Sequence, residues 1–139
     1  MDLRQITEDF TVSPQIECAD IPAIAAAGFR AILCNRPDGE DPGQCAYDDV
    51  AAAATAAGLQ VRAVPMVSGR VSPEDAAAFR AALDELPKPI LAYCRSGTRC
   101  TMLWTLTSFG ERSGDEILRA TAAAGYDMSG LVAQLDQSR

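Results

Sequence analysis

The chain has 139 residues, of which 48% are hydrophobic, and its formal net charge is −7. That length is typical of one domain, so we expect residues 1–139 to form a single domain with its own core. The acidic balance argues against binding to nucleic acid or to an anionic membrane, because both require a basic surface. A small anionic substrate is not excluded, since a pocket can be locally positive.

No apolar run approaches the ~20 residues that span a bilayer. The opening residues 1–5 contain an acid and lead into no apolar segment, so we predict a cytoplasmic protein without a signal peptide. The five cysteines are an odd number, which argues against a disulfide framework. Histidine is absent, which excludes Ser-His-Asp and Cys-His catalysis and zinc sites that contain histidine. We therefore predict no metal and no organic cofactor.

The first half of the chain alternates strand and helix signals. Residues 10–13 are typical of a short strand. Two alanine-rich stretches then each end at a glycine, Gly28 and Gly58, and each glycine suits the position that ends a helix. The runs that follow, 29–34 and 59–64, are apolar and rich in β-branched residues, which predicts two buried strands.

The second half begins with a helix start signal at Ser72-Pro73-Glu74-Asp75, and we expect that helix to continue to about Leu86. Residues 90–93 form the next predicted strand. A helix follows after Arg99, and two more are predicted at 113–125 and 129–135. Strands that alternate with helices predict an α/β fold with a parallel sheet, whose functional sites lie beyond the carboxyl ends of its strands.

A thiol, a glycine and two arginines follow the strand at 90–93. Cys94 ends this strand, and Ser96-Gly97-Thr98 permits a tight turn into the next helix. Backbone amides that converge at a helix N-terminus bind anions and lower the pKa of a thiol. Arg95 adds positive charge, and Arg99 can present a bidentate fork to an oxyanion. We predict that Cys94 is a catalytic thiolate, that Arg99 acts with it, and that the loop between them binds anions.

These residues resemble two known families. Cys94-Arg95-Ser96-Gly97-Thr98-Arg99 resembles the active-site loop of rhodanese-type sulfurtransferases, cysteine-x-x-glycine-x-arginine. The rest of the chain resembles the phosphatase-like domain of the beta-lactamase hydrolase-like proteins, at residues 35–40, 64–65 and 72–75. The second resemblance covers nearly the whole chain and implies the dual-specificity-phosphatase fold, three layers around a parallel sheet. In that family the domain often adjoins a persulfide dioxygenase domain.

Loop length separates the chemistries of the two families. Protein tyrosine phosphatases place five residues between the cysteine and the arginine, whereas four lie between Cys94 and Arg99. Tyr93 stands where a histidine usually precedes the phosphatase cysteine. Residues 66–70 contain no aspartate that could protonate a poor leaving group. Sulfite or a thiolate leaves without such an acid, so these features favour sulfur transfer.

We therefore expect a rhodanese-like sulfurtransferase that moves sulfane sulfur through a Cys94 persulfide. The donor would be thiosulfate or a persulfide such as glutathione persulfide, the acceptor would be a thiol, and a persulfide dioxygenase is a further expected partner. The first alternative is a protein tyrosine or dual-specificity-type phosphatase that works through a Cys94 phosphocysteine. The second is a regulatory module that binds anions or persulfides without turnover.

Several residues near the predicted site have two interpretations. Cys100 can hydrogen-bond within the anion-binding loop, or its thiol can resolve a persulfide or sulfenic acid on Cys94. Asp38 and Glu40 follow the second predicted strand at the same edge of the sheet; they can serve as acids or bind Arg36 in a solvated turn. We favour the turn and expect Arg36 and Asp38 to support the site from there. The other cysteines are expected to be packing residues: Cys18, Cys34 and Cys45.

Overall fold

The computed structural model describes residues 1–67, 69 and 71–137. Five strands form one sheet in the order β1-β2-β5-β3-β4. The strands are β1 (Arg4–Thr7), β2 (Phe10–Ser13), β3 (Ala31–Cys34), β4 (Gln60–Ala63) and β5 (Ile90–Tyr93). The helices are α1 (Ile21–Ala26), α2 (Tyr47–Ala56), α3 (Pro73–Glu85), α4 (Thr98–Ser108), α5 (Gly114–Ala123) and α6 (Ser129–Gln137), with a 3₁₀ turn at Cys18–Asp20 before α1.

The predicted α/β fold with a parallel sheet is confirmed for four of the five strands, since β2, β5, β3 and β4 pair in parallel. The fifth strand, β1, was not predicted, and it pairs antiparallel to β2 at the edge. The sequence analysis missed β1 because it is an edge strand of mostly polar residues, in which only Ile6 is buried. Such a strand lacks the apolar run that predicts a buried strand.

Helices cover both faces of the sheet, as the pattern of β3 and β5 requires. Successive side chains of a strand point to opposite faces. Ile32, Cys34, Leu91 and Tyr93 pack with α1 and α2 in one apolar cluster. The residues between them, among them Leu33 and Ala92, pack with α3, α4 and the C-terminal helices in the other cluster. The result is the expected three-layer arrangement.

Two predicted helix starts form their caps. Ser72 accepts a hydrogen bond from the Asp75 amide at 3.0 Å, and the Asp75 carboxylate accepts one from the Ser72 amide at 3.2 Å. At the start of α5, Ser113 Oγ accepts from the Glu116 amide at 3.1 Å. These contacts satisfy amides that have no partner within the first turn of a helix.

Strand order determines where the functional residues meet. β5 lies between β2 and β3, so the loop after β5 lies at the middle of the carboxyl edge of the sheet. The loops after β2 and β3 flank it, with the Cys94 amide donating to the Ser13 carbonyl at 3.3 Å and the Asn35 amide to the Tyr93 carbonyl at 2.9 Å.

Within the described ranges, no helix is long and apolar enough to cross a membrane.

Candidate active site

Cys94 is the first residue after β5, and its side chain has no solvent-exposed surface. The chain turns at Gly97, which has a φ of +89° and precedes the first turn of α4. This turn directs the Gly97 amide at the sulfur, and it donates to Cys94 Sγ at 3.1 Å. The predicted strand, loop and helix are therefore present, with the thiol enclosed by the loop.

Gly97 is required for a second reason, which is the close approach of Tyr126. A Cβ atom at position 97 would lie 2.1 Å from Tyr126 Oη. The same hydroxyl donates to the Ser96 carbonyl at 2.9 Å. Tyr126 lies between α5 and α6, so the C-terminal part of the chain contacts the cysteine loop through this side chain. Sequence reasoning missed this contact because it joins residues 30 positions apart, and no local pattern signals it.

The Cys94 thiol ionises readily in this setting. A hydrogen bond from the Cys100 thiol, together with the amides of Cys100, Ser96 and Gly97, lowers the pKa of Cys94 to about 5 despite burial. Burial raises the pKa of Cys100 well above the usual range, so Cys100 keeps its proton and acts as the donor. The depressed pKa agrees with the sequence analysis, but its main cause is the Cys100 thiol rather than Arg95 or Arg99.

Arg99 lies in the first turn of α4 and is only 6% exposed. Its Nη1 donates to Glu40 Oε2 at 2.7 Å and to the Met66 carbonyl at 2.9 Å, and its Nη2 donates to Glu40 Oε1 at 2.7 Å. A guanidinium has five N–H donors. The Nε–H and one Nη2–H have no partner within the part of the chain that the structure describes. They share one edge of the planar group, which is the geometry that binds two oxygens of an anion.

Glu40 is the site residue that the sequence analysis undervalued. Its side chain is 24% exposed and also accepts from Arg36 Nε at 2.8 Å, so it holds two buried arginines at once. The hydrogen bonds from Arg99 lower the pKa of Glu40 to about 2. Glu40 is therefore ionised at neutral pH and cannot act as a general acid. The prediction that this loop forms a turn around Arg36 identified one of the two partners.

A chain of polar contacts connects Arg36 to the cysteine loop. Arg36 is buried, and it donates to Asp41 Oδ2 at 2.6 Å and to Gln15 Oε1 at 2.9 Å. The other oxygen of Asp41 accepts from Arg95 Nη2 at 3.4 Å. Three arginines thus share the carboxylates of Glu40 and Asp41, which leaves one positive charge to balance the Cys94 thiolate.

The remaining predicted site residues divide between the site and the surface. Arg95 is 66% exposed and points to Asp41. The Ser96 hydroxyl donates to Thr98 Oγ1 at 2.9 Å, which stabilises the loop from its outer side. Asp38 lies outside the site, because its Oδ1 accepts from the Tyr47 amide at 2.9 Å and caps α2. In the loop after β4, Ser68 and Arg70 lie outside the described residues, so the structure does not test the prediction about 66–70 there.

A buried cysteine thiolate between a parallel strand and a helix, with an arginine in the first turn of that helix, defines the class of cysteine-dependent phosphatase-like proteins. Comparison with known proteins agrees. Residues 2–111 match the family model "Beta-lactamase hydrolase-like protein, phosphatase-like domain". The chain belongs to this family, as the resemblance in its sequence indicated.

Similar proteins include a beta-lactamase hydrolase-like protein of Xylella fastidiosa strain 9a5c. It is 33% identical over 139 residues, and the match covers 99% of this chain and 32% of that protein. The chain thus spans about a third of the length of that relative. A crystal structure from Neisseria meningitidis, described as a "putative phosphatase", is 33% identical with a TM-score of 0.88 and covers 100% of this chain and 99% of its own. A kinase-associated phosphatase, with its catalytic cysteine replaced by serine, has a TM-score of 0.69 at 9% identity, covers 99% of this chain and 93% of its own, and shows the fold alone.

These findings overturn the sulfurtransferase prediction, because the family and the structure at 33% identity are phosphatase-like. The expected partners, a sulfane donor, a thiol acceptor and a persulfide dioxygenase, are wrong for the same reason, because all three follow from sulfur transfer. The error arose from counting residues between Cys94 and Arg99. The position of the Arg99 guanidinium depends on its hydrogen bonds to Glu40 and the Met66 carbonyl in other loops, which a four-residue spacing does not reveal.

Proposed function

We propose that this protein is a cysteine-dependent phosphatase that hydrolyses phosphate monoesters through a Cys94 phosphocysteine. The observation that carries the proposal is the pairing of a Cys94 thiolate, with a pKa of about 5, and an Arg99 guanidinium that keeps one edge for an anion. Cys94 and Arg99 are the catalytic residues in this proposal, and the backbone from Arg95 to Cys100 binds the phosphate. We further propose that residues 1–139 work as one domain; the cytoplasmic location stays a prediction.

In the first step Cys94 Sγ attacks phosphorus, so that an S–P bond forms and the P–O bond to the leaving group breaks. In the second step water attacks phosphorus and the S–P bond breaks, which restores the thiolate and releases dihydrogen phosphate that carries both protons of the water. Charge builds on the phosphoryl oxygens in both steps. Arg99 Nε–H and Nη2–H and the loop amides, including that of Gly97, are the donors that stabilise it.

The same site limits which esters react quickly. A poor leaving group needs a proton from a general acid. Glu40 has a pKa of about 2 and is ionised, and Asp41 is held by Arg36 and Arg95. Asp75, near the loop after β4, is bound to the cap of α3. We therefore propose activity on aryl phosphates, whose leaving groups depart as stable anions, and weak activity on alkyl phosphates.

We propose that a cavity next to the segment that binds Arg99 receives an aromatic leaving group. It has a volume of about 410 Å³ and lies between the loop after β4 and the start of α3. Pro65, Val67 and Val71 contribute apolar surface to it. Met66, between two of these residues, accepts the Arg99 hydrogen bond at 2.9 Å. The cavity thus adjoins the segment that touches the catalytic arginine.

The test compares kcat/KM for para-nitrophenyl phosphate, a phosphotyrosine peptide and a phosphoserine peptide on one preparation. We expect turnover of the two aryl esters, with the phosphoserine peptide slower by about 10²–10⁴-fold because no acid protonates its leaving group. Acid quenching during turnover should trap a phosphoryl group on Cys94.

Stoichiometric binding of phosphate or vanadate without turnover of any aryl ester would refute the phosphatase and favour the binding module. Phosphoserine hydrolysis at the aryl rate would refute the limit on leaving groups and indicate an acid that we have not assigned.

A further inference from the structure

A second pair of thiols lies away from the Cys94 site. Cys18 Sγ and Cys45 Sγ are 3.0 Å apart, and both side chains are half-buried. Cys18 is in the 3₁₀ turn before α1, and Cys45 is two residues before α2. Their separation in sequence is 27 residues, so the contact joins two different segments of the chain. The sequence analysis treated both as packing residues, and their contact is not required by the phosphatase proposal.

The distance between the two sulfurs favours a covalent bond over a metal site. Two thiolates on one tetrahedral zinc ion, with Zn–S near 2.3 Å, have their sulfurs roughly 3.8 Å apart. The separation of 3.0 Å is shorter and lies closer to a disulfide of about 2.05 Å. No group of three or more histidine, cysteine, aspartate or glutamate side chains suited to a metal occurs among the residues described. Neither cysteine lies in an α-helix or a strand, so modest backbone movement can bring the sulfurs together.

The segment that ends at Cys45 also holds the arginines of the candidate active site. Gln44 Oε1 accepts from the amides of Glu40 at 3.1 Å and Asp41 at 3.4 Å, and Gln44 Nε2 donates to the Pro37 carbonyl at 2.9 Å. A constraint on Cys45 therefore acts on its neighbour Gln44 and, through Gln44, on the backbone that positions Glu40. We call residues 35–46 the Glu40 loop.

The geometry points to Cys18 and Cys45 as a thiol–disulfide site whose oxidised form fixes the Glu40 loop against the 3₁₀ turn. The substrate class is a low-molecular-weight disulfide such as oxidised glutathione. Burial and the neighbouring Cys18 raise the pKa of Cys45 to about 11, so Cys45 keeps its proton at neutral pH. We assign the first attack to Cys18.

The exchange proceeds in two balanced steps. The Cys18 thiolate attacks one sulfur of oxidised glutathione, which forms a mixed disulfide and releases one glutathione thiolate. Cys45 then loses its proton and attacks Cys18 Sγ, which forms the Cys18–Cys45 bond and releases the second glutathione thiolate. Two protein thiols are oxidised and one oxidised glutathione is reduced to two glutathione molecules.

The test treats the Cys94→Ser protein with oxidised glutathione, because that variant lacks the other reactive thiolate. We expect loss of the mass of two hydrogen atoms, a Cys18–Cys45 cross-link in peptide maps, and reversal by dithiothreitol. Cys34→Ala, which removes a buried cysteine of the same apolar cluster, is the matched control and should form the same bond. Cys18→Ser should form none, and Cys45→Ser should stop at the mixed disulfide.

Hydrogen exchange of the Glu40 loop tests the consequence of the bond. Oxidation should slow exchange of the Glu40 and Asp41 amides at least severalfold in the Cys94→Ser protein, and should leave Cys18→Ser unchanged. A glutathione adduct without further reaction, or a bond that involves Cys34 or Cys100, would refute the site. A Cys18–Cys45 bond with unaltered exchange would refute the effect on the loop. None of these results bears on the turnover of aryl phosphates, so the phosphatase proposal is tested separately.

Discussion

The molecule contains two cysteine pairs whose thiols lie side by side but whose chemistry differs. Cys100 donates to Cys94 and helps to lower the pKa of Cys94 to about 5, whereas contact with Cys18 accompanies a pKa of about 11 at Cys45. Both pairs are shielded from solvent, and the Cys94 pair is the more deeply buried. Burial alone therefore cannot account for the difference.

The hydrogen bond from the Cys100 thiol and several backbone amides together account for the difference in pKa. Cys94 faces the amides of Ser96, Gly97 and Cys100 at the start of α4, and these groups stabilise negative charge on sulfur. At Cys45 a backbone hydrogen bond from Cys18 is outweighed by burial and by the neighbouring thiol. The comparison teaches that a buried thiol has a low pKa here where a protonated neighbouring thiol and several amides all donate to its sulfur. The predictions below are ordered by the size of the expected effect.

Replacing Cys94 should cause the largest loss of activity. Cys94→Ser should lower aryl phosphatase kcat/KM by on the order of 10³-fold or more, because a serine hydroxyl needs a base and the chain has no histidine. The matched control is Cys18→Ser, which should stay within twofold. Steady-state kinetics with para-nitrophenyl phosphate measure both. Equal loss in the two variants would show that the two pairs do not differ in function.

Replacing Glu40 tests whether its carboxylate holds the Arg99 guanidinium in position. Glu40→Gln keeps one acceptor but removes the charge between Arg99 and Arg36, and a hydrogen bond to a charged group is worth about 1.5–3 kcal/mol. We expect kcat/KM to fall by about 10–100-fold. Asp38→Asn, on the same loop, retains an oxygen that can cap α2 and should change kcat/KM by less than twofold. A large effect of Asp38→Asn would restore Asp38 to the site.

Replacing Gly97 disturbs the turn that distinguishes the Cys94 pair. Gly97→Ala places a methyl group 2.1 Å from Tyr126 Oη at a φ of +89°. The control is Gly43→Ala, where φ is +83° and no atom lies within 4 Å of an added Cβ. Backbone strain should cost each variant about 1–3 kcal/mol. Crowding should cost Gly97→Ala roughly 1–3 kcal/mol more.

Urea unfolding of the Gly97→Ala and Gly43→Ala proteins measures this difference. Equal free energies of unfolding would mean that the Tyr126 contact does not constrain the loop.

The smallest expected effect isolates the thiol-to-thiol hydrogen bond. Cys100→Ala removes the donor and should raise the pKa of Cys94 by about 1–2 units, whereas Cys100→Ser keeps an O–H donor and should leave it near 5. Cys94 must be deprotonated to react, so Cys100→Ala should lose activity near pH 5.5 and keep most of it near pH 8. The rate of iodoacetamide alkylation against pH reports the pKa. An unchanged midpoint in Cys100→Ala would assign the low pKa to the amides alone.

The sequence predicted the parts of this protein that local patterns determine. Alanine-rich helices that end at glycine, the cap at Ser72 and the apolar run before Cys94 are all local, and the fold and the cysteine loop followed from them. Contacts between distant residues left no such pattern. Glu40 meets Arg99 across 59 positions, and Tyr126 meets Ser96 across 30.

Choosing the chemistry from sequence failed for a related reason. Loop length is a count along the chain, whereas anion binding depends on where the guanidinium lies in space. The Met66 carbonyl and Glu40 determine that position for Arg99, and both come from other loops. The polar edge strand β1 was missed because its pairing with β2, rather than its own composition, makes it a strand.

The contact between Tyr126 and Gly97 limits how far the chain can be shortened at its C-terminal end. The family match ends at residue 111, yet Tyr126, which packs under the cysteine loop, comes after it, as do α5 and α6. A fragment that stops at the family boundary would keep Cys94, Arg99 and Glu40 but lose the side chain beneath the turn. Recombination or truncation at that boundary would therefore separate Cys94 from this contact, and we expect Tyr126 and the helices on either side of it to be needed for the proposed activity.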